Sequence, residues 1–113
     1  MLTIYHNPRC RKSREALQII EENGTAVEVV EYLKTPLSKD QLKEVVDKLA
    51  IKPQELIRRG EAIFKEQFKG KELSDDEWLQ AMADHPKLME RPIVVKGDKA
   101  VVGRPPESVK ELI

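Results

Sequence analysis

This 113-residue chain has one cysteine, two histidines and no net charge, and each scarcity removes a class of protein. A single thiol cannot close an internal disulfide. Two histidines and that thiol offer no spacing suited to a metal, so none is expected. Twenty basic residues against twenty acidic ones leave no whole-molecule field to gather nucleic acid or an anionic membrane, so any affinity for anions must come from local clustering. No apolar run approaches the roughly 18 residues of a membrane span, and no cationic start leads into an apolar signal core. A cytoplasmic protein is expected, with neither nucleic acid nor membrane as partner. Internal repeats, linkers and low-complexity stretches are missing too, and the length suits one domain, 1–113, around a single core.

What is present centres on Cys10, in the segment Tyr5-His6-Asn7-Pro8-Arg9-Cys10-Arg11-Lys12-Ser13-Arg14. An isolated cysteine is ordinarily a small buried hydrophobe. Here an apolar run breaks and a helical pattern starts, and four cationic side chains stand within four residues of the sulfur. Helix N-termini and neighbouring cations favour the thiolate, which is the nucleophilic form. Cys10 is therefore read as a nucleophile.

Leu2–Tyr5 reads as a short strand ended by Asn7-Pro8. Ser13, Ala16, Leu17 and Ile20 then mark one face of a helix that stops at Asn23-Gly24, and the β-branched run from Val27 to Leu33 reads as a second strand. A parallel strand-helix-strand unit is expected. The middle, about residues 38–88, reads as a helical insertion. Capping boxes open helices at Ser38-Lys39-Asp40-Gln41 and Ser74-Asp75-Asp76-Glu77, the second stopping near His85-Pro86. Pro53 starts a short helix through Leu56 and Ile57 that Gly60 ends, while 61–73 reads as helix and loop. Trp78, Leu79 and Met82 are expected in the core. Ile93–Val95 and Ala100–Val102 form a hairpin around Gly97-Asp98, and Pro105-Pro106 leads into a closing helix with Val109 and Leu112. The fold class is α/β: a four-stranded mixed sheet with a helical insertion between β-α-β and β-β-α halves. Because Arg91 precedes the third strand and Arg104 follows the fourth, an antiparallel pairing sets them on one rim of the sheet.

A cysteine at the first strand-helix junction and Pro92 opening the third strand resemble the thioredoxin superfamily. More narrowly, the chain resembles the glutaredoxin-coupled arsenate reductase family. The resemblance rests on Ile4-Tyr5-His6-Asn7-Pro8-Arg9-Cys10, Leu56-Ile57-Arg58-Arg59, His85-Pro86, Glu90-Arg91-Pro92-Ile93-Val94-Val95 and Gly103-Arg104-Pro105. It implies that Cys10 attacks arsenate, that Arg58, Arg91 and Arg104 hold the oxyanion, and that the peptide bond before Pro92 is cis. Arginine is suited to that role by its permanently charged, forked donors. His6 matches a family position; it either assists thiolate formation or hydrogen-bonds the turn. Arg59 is either a further binding group or a solvated neighbour. Glutathione would be the co-substrate and a glutaredoxin the redox partner, with no bound cofactor, and a monomer is expected.

Ser13 stands where a dithiol motif would have its second cysteine, so the chain cannot resolve an intermediate through an internal disulfide. Two other classes share features with it. A Spx-like redox regulator that binds RNA polymerase has the same fold, but its redox-sensing versions carry two cysteines in the motif. A monothiol glutaredoxin-like thioltransferase accounts for Cys-x-x-Ser but not for the arginine set.

Overall fold

The computed structural model describes residues 2–113. They run β1 (Leu2–His6), α1 (Arg11–Glu22), β2 (Val27–Glu31), α2 (Lys39–Leu49), α3 (Ala62–Gln67), α4 (Asp75–Asp84), β3 (Ile93–Lys96) and β4 (Lys99–Val102), with 3-10 turns at Pro53–Leu56, Pro86–Leu88 and Pro106–Leu112. The chain forms two compact units. One joins the residues up to Thr35 with Arg91–Ile113; the other is Pro36–Glu90.

The first unit is a four-stranded sheet in the order β2-β1-β3-β4. β1 pairs in parallel with β2, Ile4 opposite Val29, and antiparallel with β3, Ile4 opposite Val94. The β3–β4 hairpin turns through Gly97-Asp98, with Lys96 opposite Lys99. Gly97 has φ +60, and positive φ at the first turn residue is what glycine supplies in tight hairpins. Leu2, Ile4 and Val94 share a sheet face with Ala16 and Ile20 of α1 and Val109 and Leu112 of the C-terminal turn, forming one apolar core. Burial of that face fixes the register, because a one-residue slip would turn it outward.

The second unit is helical. Ser38 and Ser74 each accept a backbone N–H from the third helical residue, and the Gln41 and Glu77 side chains accept the cap N–H in return. Trp78, Leu79, Ala81 and Met82 are the buried side of α4. The Trp78 ring stacks with Phe64 at 6.3 Å between centroids. No helix among the described residues is long and apolar enough to cross a membrane.

Three elements differ from the sequence reading. The second strand stops at Glu31, because the Lys34 and Thr35 N–H groups both turn back to the Glu31 carbonyl. The helix expected from Pro53 through Ile57 is one 3-10 turn, since Ile57 takes extended φ/ψ and bridges antiparallel to Met89. The closing helix is also 3-10. Its buried residues are Pro106, Val109 and Leu112, a spacing of three that stacks one face of a helix with three residues per turn.

Candidate active site

Cys10 ends the loop between β1 and α1 and is the N-cap of α1, with φ −93 and ψ 122. Its carbonyl accepts the Arg14 N–H, which starts the helix, while its own N–H donates to the Asn7 carbonyl at 3.0 Å. The side chain makes no cap bond, and the first turn of α1 holds no acidic residue. The positive end of the helix is therefore not neutralised locally. The thiol is free of disulfide and buried, 8% exposed.

The hairpin delivers cations to this thiol. Arg104, just beyond β4, donates from Nε to the Arg91 carbonyl at 2.7 Å and places Nη2 3.6 Å from Cys10 Sγ. Arg91 itself lies half-buried just before β3, and its Nε is buried with no hydrogen-bond partner among the described residues. Both arginines precede proline across a cis peptide bond, Arg91–Pro92 and Arg104–Pro105. Gly103 lets the hairpin close here: a Cβ on it would lie 2.8 Å from Pro92 Cγ.

Arg58 belongs to the helical unit. Its Nη1 donates to Glu61 at 2.8 Å and its Nε to Glu90 at 3.1 Å, with its side chain 24% exposed. Burial pulls the guanidinium pKa down, but hydrogen bonds and charge from Glu61 and Glu90 outweigh it and hold the group above its ordinary value. Arg59 is exposed, its guanidinium 5.8 Å from the Phe64 ring centroid. His85 caps the C-terminal end of α4.

His6 is buried at the end of β1, and its Nδ1 lies 2.6 Å from Ser13 Oγ. Burial moves its pKa below the ordinary histidine value, with Arg14 pushing the same way and Glu31 and Glu21 opposing. Ser13, wholly buried, also accepts the Asn7 N–H at 3.0 Å. Sequence reasoning placed Ser13 only as an absent second cysteine and a face marker. A hydroxyl at apolar helical spacing, with Ala16 and Ile20, was the available signal, because buried hydroxyls are almost always hydrogen-bonded.

The β2-β1-β3-β4 sheet, the cysteine at the β1–α1 junction and the cis-proline opening β3 define a thioredoxin-like protein with one cysteine in its motif. Within that class the chain belongs to the ArsC family, which it matches over residues 5–112. It is 44% identical over 114 residues to an arsenate reductase of Neisseria meningitidis, covering 99% of this chain and 97% of that one. It is 49% identical over 112 residues to the uncharacterized protein YfgD of Escherichia coli, covering 97% and 94%. The solved arsenate reductase from Vibrio cholerae superposes with a TM-score of 0.95 at 46% identity, covering 99% of this chain and 97% of that one.

Proposed function

We propose that the protein is an arsenate reductase in which Cys10 is the sole nucleophile, glutathione the co-substrate and a glutaredoxin the redox partner. The observation that carries this reading is the Arg104 guanidinium, fixed by Nε on the Arg91 carbonyl with Nη2 3.6 Å from Cys10 Sγ. A forked cation beside a nucleophile is suited to an oxyanion substrate. The Arg91 Nε, without a hydrogen-bond partner among the described residues, and the relatives named arsenate reductase support it.

In the proposed cycle the Cys10 thiolate attacks arsenic and displaces an arsenate oxygen, which takes up protons and leaves as water. Arg91 and Arg104 neutralise the charge on the remaining oxygens. Glutathione thiolate then attacks the Cys10 sulfur of the adduct. The sulfur–arsenic electron pair stays on arsenic, which leaves as arsenite, and the two sulfurs are joined as a mixed disulfide. Glutaredoxin cleaves that disulfide by thiol exchange and restores Cys10. The protein would work as a cytoplasmic monomer, without a bound cofactor and without a nucleic-acid or membrane partner.

The test is arsenate-dependent NADPH oxidation with glutathione, glutathione reductase and glutaredoxin, comparing the protein with Cys10→Ser. Turnover in the parent and none in the variant is the expected result. Equal rates in both would reject Cys10 as nucleophile. An arsenate-inert protein that still exchanges with glutathione disulfide would be a thioltransferase.

A further inference from the structure

Ser13 Oγ has one proton to donate and two lone pairs with which to accept. One lone pair takes the Asn7 N–H at 3.0 Å. The only other polar partner of this oxygen among the described residues is His6 Nδ1, at 2.6 Å, and the residue is 0% exposed, so no solvent can take the hydroxyl proton. If His6 carried its proton on Nδ1, the imidazole would donate to Ser13 and the serine proton would be left buried without an acceptor. Buried donors are seldom left so, because an orphaned one bears its full desolvation cost. The satisfied arrangement has Ser13 donating to a bare Nδ1, with the imidazole proton on Nε2.

We propose that Ser13 is a positioning residue for Cys10: its hydroxyl holds His6 as the neutral Nε2–H tautomer and holds the Asn7 amide, fixing the loop that carries the sulfur. The inference rests on the reading of Cys10 as nucleophile. The links are short and continuous. Ser13 Oγ binds the Asn7 N–H, the Asn7 carbonyl binds the Cys10 N–H at 3.0 Å, and the Arg14 guanidinium closes the loop on the Pro8 carbonyl at 2.9 Å. The Asn7 side chain adds a bond from the Arg9 N–H. In this arrangement both His6 nitrogens are committed, one accepting from serine and one protonated. His6 then has no open acceptor for the thiol proton, and the cation beside the sulfur is Arg104. Ser13 thus supports the site through the loop, while the hydrogen bond to the sulfur comes from Arg104.

The decisive measurement is two-bond ¹H–¹⁵N correlation NMR of the intact protein near neutral pH, where only His6 and His85 contribute and His85→Gln assigns them. The Nε2–H pattern is expected for His6. An Nδ1–H pattern would overturn the proposal, and this reading does not depend on whether any variant folds. In Ser13→Ala, once thermal melting shows it folded, loss of the serine donor should change the His6 tautomer signature. The rate of Cys10 alkylation by neutral iodoacetamide should change several-fold, because a loosened loop alters the access and setting of a sulfur that is only 8% exposed. An unchanged His6 signature, or an alkylation rate equal to the parent, would also overturn it. Arsenate turnover is recorded in parallel. A parent inert to arsenate, with His6 as Nε2–H and the alkylation rate altered in Ser13→Ala, would remove the substrate and leave this inference standing.

Discussion

Arg104 makes two bonds in different directions from one planar group, Nε to the Arg91 carbonyl and Nη2 toward Cys10 Sγ. A lysine ammonium has a single nitrogen and cannot reproduce that fork. Arg104→Lys is therefore expected to behave like Arg104→Ala, losing about 10²- to 10³-fold in arsenate kcat, the scale seen when one oxyanion-stabilising donor is removed. Coupled-assay kinetics on both variants check this, and a fully active lysine variant would show that charge alone suffices. His6 carries a second residue-scale prediction. Burial sets its folded pKa below the unfolded value, so the native state binds fewer protons there and stability present above the unfolded pKa is lost as pH falls through the folded one. Urea midpoints should fall from neutral pH into the mildly acid range, and His6→Gln should flatten that part of the profile; parallel profiles would assign the loss to other groups.

The elements stand on local chemistry to different degrees. Ser38 supplies a complete capping box for α2, and Ser38→Ala should cost about 1 kcal/mol in denaturant unfolding. Gly103 is set by packing instead, with Pro92 Cγ at 2.8 Å, Val109 Cγ1 at 3.3 Å and Ala16 Cβ at 3.4 Å from where a Cβ would sit. Because the nearest of these belongs to a rigid ring, Gly103→Ala should destabilise by about 1–3 kcal/mol and also lower arsenate turnover by shifting Arg104; loss of stability with full activity would separate the two effects. These cases show what a sequence can disclose. Both capping boxes, the stop at Asn23-Gly24 and the Gly97-Asp98 turn are written in the residues that make them. Where a distant strand partner decides, as Met89 does for Ile57, the local pattern misleads. The C-terminal run carries a three-residue apolar spacing that suits α and 3-10 helices alike, so its type was not legible. At the site, Cys10 and the Arg91–Arg104 pairing could be read from loop chemistry and hairpin geometry. The Ser13–His6–Asn7 cluster needs coordinates, because a bond between β1 and α1 leaves no periodic mark.

Across the whole molecule the charges cancel, twenty against twenty, yet they are not evenly spread. Arg9, Arg11, Lys12 and Arg14 lie within four residues of the sulfur, and Arg104 touches it. Of the first four, Arg11 is paired with Glu15 at 2.8 Å, an ion pair open to solvent, and Arg14 spends a donor on the Pro8 carbonyl. Glu15 cancels much of the Arg11 charge at a distance, which leaves Arg9, Lys12, Arg14 and Arg104 as the cations nearest the sulfur. The field at Cys10 is thus positive on a neutral protein, and its reach is set by salt: the Debye length is about 30 Å at 0.01 M and about 3 Å at 1 M. Two alkylating reagents that differ in charge read this directly. Iodoacetate, an anion, should gain on neutral iodoacetamide at low salt, and the ratio of their rates at Cys10 should fall several-fold between about 10 mM and 1 M sodium chloride. Arg9→Gln with Lys12→Gln should lower the ratio at low salt, because a change in the thiol itself scales both rates alike and only the field distinguishes the anionic reagent. A ratio independent of salt in the parent would mean that the cations lie too far from the sulfur, or are too well solvated, to select a charged reactant.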